Sequence, residues 1–208
     1  RFTANYRIGT KPGPETGCNQ GGENNVYGLI NSSLQSMILE KFGEEQWNRI
    51  LLASGVPEDS FLSMRSYDDA ITYDLVAAAS QVLGESAETC LEMFGEWWVL
   101  ETAAKSYGPL MEASGRDLLQ FLRNMNALHD RITGTFVNYV PPEFRVESLE
   151  GDRHRIHYIS KREGLTPFVV GLLNGLATRF DSELVIHSRE AEPVTTGEHT
   201  VFEVTVRC

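Results

Sequence analysis

Residues 156–162 read IHYISKR and place Tyr158, Ser160 and Arg162 at alternate positions. In an extended strand alternate residues share a face. A phenol, a hydroxyl and a guanidinium would then point the same way, all able to donate hydrogen bonds and the last permanently charged. If that face is solvated, the triplet carries no meaning. If it looks into the fold it needs an anionic acceptor, because an unpaired buried Arg is very costly. The second candidate is His129, which continues the apolar stripe Leu118, Leu122, Met125, His129, Ile132 at helical spacing. An imidazole in such a stripe is either a satisfied core residue or a ligand for iron or zinc. Zinc needs three or four protein ligands, and nothing else in the chain supplies them at useful spacing. A haem needs one axial His and an apolar pocket. It also brings two propionates, anions that a face of three donors could meet, the Arg bidentately.

Composition bounds the rest. The chain has 208 residues, 41% of them hydrophobic, which suits one domain with a sizeable core. A formal net charge of −11, with Lys and Arg scattered, argues against nucleic acid and anionic membrane surfaces as partners. Cys18, Cys90 and Cys208 form neither a metal spacing nor a disulfide framework, a usage that fits a reducing cytoplasm. No apolar run approaches the ~18 residues of a membrane span, and the N-terminus lacks the hydrophobic stretch of a signal peptide. Because the chain begins with Arg, it reads as a fragment of a longer protein. Residues 1–25 read as an irregular leader, disordered or left over from expression, and residues 26–208 as the domain.

The elements that must position these residues follow from periodicity. Helical spacing begins at Val26, with Ile30, Leu34, Met37 and Ile38 on one stripe, and resumes after Gly43 with Trp47, Ile50 and Leu51. Ile71, Leu75, Val76, Ala79 and Val82 mark a third helix. Leu91, Phe94, Trp97 or Trp98, and Glu101 mark a fourth, ending near Gly108. Ser114 with Asp117 resembles a capping box that opens one long helix running through His129 to Ile132. After Pro141-Pro142 the period becomes two: 146–149 and 155–161 form a hairpin about Glu150-Gly151-Asp152. A helix over 164–180, with Gly171 and Gly175 for close packing, and strands over 184–187 and 201–207 complete the chain. Helices first and an antiparallel sheet last make an α+β fold.

With the Tyr-x-Ser-x-Arg motif at Tyr158, Ser160 and Arg162 and the His in NALHDRI, the sequence resembles the haem-nitric oxide/oxygen-binding (H-NOX) domains. It is similar to the sensor domain of the soluble guanylate cyclase β subunit. YGLINSSL, YDDAITYDLVAAASQVL, FGEWW and REGL carry the likeness too, which runs from about Val26 to the C-terminus. The resemblance implies an N-terminal helical subdomain and a C-terminal subdomain with the sheet, clamping a non-covalent haem b between them. It implies His129 as the axial ligand, and Tyr158, Ser160 and Arg162 on the propionates. Pro142 would distort the porphyrin, and Ile30, Trp98, Phe168 and Leu172 would line the distal pocket. Oxygen-binding members carry a Tyr where this chain has Phe168, so the expected ligands are nitric oxide and, more weakly, carbon monoxide, but not oxygen. Trp98, with an indole N–H, is the one distal group able to compete with that reading.

The mechanism so implied is release of His129 from the iron when nitric oxide binds, relaxation against Pro142, and relay to a guanylate cyclase or histidine kinase in the same polypeptide or a partner. The domain itself would be a cytoplasmic sensor and not an enzyme. The alternatives are a haem carrier or store, a haem enzyme such as a peroxidase, which would want a distal acid–base pair, and a plain interaction module with no cofactor.

Overall fold

The computed structural model describes residues 25–57, 61–134 and 140–207, so the leader expected over 1–25 lies, apart from Asn25, outside the described residues. The chain enters as a strand, where helical spacing from Val26 had been expected. Strand β1 (Asn25–Tyr27) pairs antiparallel with β2 (Ser66–Asp68), Val26 opposite Tyr67. Helix α1 (Gly28–Phe42) starts only at Gly28, whose N–H donates to the Arg65 carbonyl at 2.8 Å. A Cβ there would run into the Leu62 carbonyl, so glycine is what lets the loop close over the helix start.

Helices α2 (Glu44–Ser54), α3 (Asp69–Leu83) and α4 (Ala87–Trp97) complete the N-terminal lobe. Their apolar stripes meet in one core, with Leu34, Met37, Ile38, Ile50 and Leu75 almost wholly buried. The fourth helix does not stop near Gly108. It passes through a π-helical segment, Trp98–Ala103, into α5 (Ala104–Ser114), with a kink at Tyr107 (φ −133°, ψ 16°). Pro109 explains the kink, since it lacks an N–H and crowds the carbonyl one turn earlier.

The expected long helix to Ile132 is in fact two. Helix α6 (Leu118–Arg123) and helix α7 (Met125–Thr133) are separated by Asn124 at φ −95°, ψ 2°. The cap also differs from the one expected. Asp117 itself caps α6, its Oδ1 accepting from the Gln120 N–H at 2.8 Å, and Gln120 Oε1 accepts from the Arg116 N–H. Ser114 instead ends α5, donating to the Leu110 carbonyl, while its own carbonyl accepts from Asn124 Nδ2.

The C-terminal lobe holds β3 (Glu143–Ser148), β4 (Arg153–Ser160), helix α8 (Thr166–Arg179), β5 (Glu183–Ala191) and β6 (Glu198–Arg207). All four strands are antiparallel in the order β3-β4-β6-β5, the last two longer than their apolar cores suggested. Ile156, Tyr158, Phe202 and Val204 face inward onto Phe121, Leu122 and α8 in a second core. Helices α4 and α8 join the lobes backbone to backbone: a Cβ on Gly95 would strike the Phe168 carbonyl, and one on Gly171 the Glu92 carbonyl. The fold is α+β, with the lobes as expected.

Candidate functional site

A largely apolar cavity opens between the two cores. His129, Pro142, Tyr158, Ser160, Arg162, Ile30, Trp98, Phe168 and Leu172, scattered over 143 positions of sequence from Ile30 to Leu172, all line it.

His129 stands on α7. Its Nδ1 lies 3.2 Å from the carbonyl oxygen of Pro142. A carbonyl only accepts, so the proton sits on Nδ1 and the Nε2 lone pair is left for a ligand. Burial pulls the imidazole pKa down, against weaker opposing effects of the Pro142 carbonyl and Asp130, and keeps the ring neutral. The ring is held against Phe144, centroids 6.2 Å apart. Asn126, one turn earlier, fixes that arrangement: its Nδ2 donates to the Phe144 carbonyl and its Oδ1 accepts from the Phe144 N–H, both at 2.9 Å. Nothing in the sequence reading picked out Asn126, although an Asn three residues before a candidate ligand, facing an incoming strand, was the available signal.

The donor triplet reaches the cavity, but not as three residues of one strand. Strand β4 ends at Ser160, and Arg162 arrives through the turn that follows. Its backbone N–H donates to Ser160 Oγ at 3.0 Å. Tyr158 is buried, and that burial, first of all, raises the phenol pKa far above normal, with Ser160 acting the other way. Glu198 accepts from the Gly164 and Leu165 N–H groups at 2.8 and 3.1 Å, which ties β6 to the start of α8. Burial raises the Glu198 carboxyl pKa despite these donors.

Arg162 has an anionic acceptor within the protein. Its Nε donates to Asp69 Oδ2 at 2.8 Å and its Nη2 to Asp69 Oδ1 at 3.4 Å, a fork-to-fork pair between the lobes. Nη1 lies 3.4 Å from the Val140 carbonyl. Asp69 opens α3. One turn on, the Tyr73 hydroxyl donates to the Glu163 carbonyl at 3.0 Å, a second tie across the same gap. Asp69, Tyr73 and Glu198 were all missed from sequence, Asp69 lying 93 positions from its partner.

At the other end, Phe168 stacks against Phe94 at 5.2 Å, and Phe94 meets Trp98 edge to face at 6.4 Å. The close α4–α8 contact sets both positions. Tyr107 and Thr72 also line the cavity and were not foreseen. Among the described residues no three His, Cys, Asp or Glu side chains gather into a metal-holding set, which leaves a zinc reading of His129 without its ligands. A haem fits the donor set present: one neutral imidazole with a free lone pair, apolar walls, and hydroxyl and guanidinium donors together at one end.

The fold and site together describe a two-lobed haem pocket of the gas-sensing kind, and comparison with known proteins agrees. The sequence profile described as Haem-NO-binding matches residues 27–188, and the chain belongs to that family. It is 27% identical over 180 residues to soluble guanylate cyclase gcy-31 of Caenorhabditis elegans, covering 86% of this chain and 26% of that protein. It is 26% identical over 155 residues to soluble guanylate cyclase 89Db of Drosophila melanogaster, covering 74% of this chain and 23% of that one. The chain thus spans about a quarter of the length of these curated relatives. An H-NOX protein from S. oneidensis, solved as a triple mutant in the Fe(II) state, superposes with a TM-score of 0.77 over 88% of this chain and 97% of that one, at 19% identity. The chain is an H-NOX haem-binding domain related to those of the soluble guanylate cyclases. No helix among its described residues is long and apolar enough to cross a membrane.

Proposed function

We propose that this domain is a nitric oxide sensor that also takes carbon monoxide, rejects oxygen, and signals through release of His129. The observation that carries the reading is the pairing of His129 with Pro142. When bound here, a haem b would supply an iron able to take a diatomic gas. His129 would hold that iron through Nε2, and Tyr158, Ser160 and Arg162 would hold the propionates. Because the same imidazole is bonded through Nδ1 to the Pro142 carbonyl, displacing it also displaces the backbone that enters β3. Pro142, lining the same cavity, would press on the haem and distort it. Release of His129 is then a local event biasing a two-state element. Ile30, Trp98, Phe168 and Leu172 supply the distal wall, where Phe168 offers no hydroxyl to a bound gas. The output would pass to a cyclase or kinase, in cis or in trans, in the cytoplasm, with catalysis residing there and not in this chain.

The test is an absorption spectrum of the reduced, haem-loaded protein. Nitric oxide should shift it, and air should leave it unchanged before slow oxidation. A persistent change on exposure to air alone would overturn the selectivity.

Arg162 should dominate retention of the cofactor. A hydrogen bond to a charged group contributes about 1.5–3 kcal/mol against ~1 kcal/mol for a neutral one. Arg162→Ala should therefore speed haem transfer to an acceptor protein more than Ser160→Ala does. Asp69→Asn, which leaves the guanidinium less engaged within the protein, should slow it. Equal transfer rates for wild type and the triple alanine variant would remove the propionate role from all three residues.

A further inference from the structure

We infer that the outer face of the sheet carries a second metal site, a bidentate imidazole site for zinc or copper(II) formed by His157 and His199. It does not depend on the haem reading. Strand residues alternate in direction, so His157 points away from the cavity that its neighbour Tyr158 lines. On β6, His199 is the diagonal neighbour of His157, which sits opposite Val201 while His199 sits opposite Ile159. Both rings are half-buried over this face.

Three observations support the assignment. First, His157 Nδ1 and His199 Nε2 are 3.1 Å apart. Two nitrogens at that separation, each about 2.0–2.1 Å from one ion, subtend roughly 95–102° at it, between square-planar and tetrahedral demands. Second, the remaining nitrogen of His157, Nε2, lies 3.4 Å from Glu147 Oε1. Nε2 is buried and makes no hydrogen bond, so this carboxylate contact is the nearest charge it meets. A carboxylate there favours the tautomer with its proton on Nε2 and the lone pair on Nδ1, the arrangement that metal-bound histidines adopt. Third, the surrounding charge suits a cation. Glu143 and His199 both sit opposite Ile159, which puts this carboxylate on the same face as the two rings. The nearest competing cation, Arg145 opposite His157, is already paired with Glu143 at 2.6 Å. At present the two imidazoles share one N–H; an ion would take its place, with the His199 proton moving to Nδ1. Among the described residues no three His, Cys, Asp or Glu side chains converge here, so water completes the coordination and binding is weak.

The experiment is calorimetric titration of zinc sulfate into the haem-loaded chain at neutral pH. One ion per chain is expected, weakened at least tenfold by His157→Gln and by His199→Gln. It should be weakened about tenfold or more by Glu147→Gln and unchanged by His187→Gln, on β5. Binding should fade in acid, because a protonated imidazole has no lone pair to give the ion. An unaltered haem band and circular dichroism spectrum would show that each variant is folded. Independently of any variant, copper(II) bound to wild type should show hyperfine coupling to two equatorial nitrogens. No wild-type zinc binding below about 1 mM, a loss smaller than tenfold in the His157→Gln/His199→Gln double variant, or coupling to fewer than two nitrogens would each overturn the site.

Discussion

Replacing His129 with Gly should abolish the characteristic spectrum of the reduced protein, and added imidazole should restore it. Free imidazole can enter the space vacated by the side chain and offer the iron the same lone pair. It cannot restore the covalent link from the ring to α7. Nor, lacking that link, can it pass any displacement on to α7 and the Pro142 carbonyl, to which His129 Nδ1 is bonded. The rescued variant should therefore bind nitric oxide yet show no nitric oxide-dependent change in hydrogen exchange around Pro142 and β3, where wild type shows one. An unchanged spectrum in the variant without imidazole would mean that His129 is not the ligand. An intact exchange response in the rescued variant would mean that its release is not the signal.

Phe168→Tyr should make the reduced, haem-loaded domain hold oxygen in air. The substitution adds one hydroxyl with little change in volume, on a ring packed on Phe94 and set in place by the Gly95 contact with its own backbone. Bound oxygen carries partial negative charge and is retained by a donor within roughly 2.7–3.2 Å, whereas nitric oxide needs little such help. A hydrogen bond to a charged acceptor contributes about 1.5–3 kcal/mol, so oxygen loss should slow by about ten- to a hundredfold. Stopped-flow mixing of the oxygenated variant with dithionite and carbon monoxide measures it. Trp98 lines the same cavity with an indole N–H. If Trp98 already serves as donor, wild type will hold oxygen and the substitution will change little.

The chemistry was more legible in the sequence than the geometry. An imidazole on an apolar stripe and a Tyr-x-Ser-x-Arg run are local patterns, and both lead to the same cavity. Legibility failed where partners were distant in sequence. The carboxylate that Arg162 engages is Asp69, at the start of a helix in the other lobe, and no spacing rule joins positions 93 apart. Nor could periodicity show that Arg162 lies beyond the end of its strand, because alternation in type continues past alternation in backbone. The division of the long helix was hidden for a related reason. One residue at φ −95°, ψ 2° barely disturbs the phase of the apolar stripe, so Leu118 to Ile132 still reads as one face. Asn124 lacks the plain signature of Gly or Pro. The chain's entry by a strand was obscured because Val26 and Tyr27 satisfy a helical stripe equally well.

The break at Asn124 has mechanical value. As a nine-residue helix, α7 is a stiff rod of about 13.5 Å, carrying its imidazole at the fifth position and pinned one turn earlier by the Asn126–Phe144 bonds. A load applied at His129 therefore acts close to a pivot and is delivered as torque on the strand beyond it. Were the helix continuous from Leu118, the same load would have to drag Leu118, Phe121 and Leu122, none more than 1% exposed, through a close-packed interior that resists it. Disconnecting the rod from that anchorage would let a small displacement of His129 turn an edge strand while most of the C-terminal core stays still.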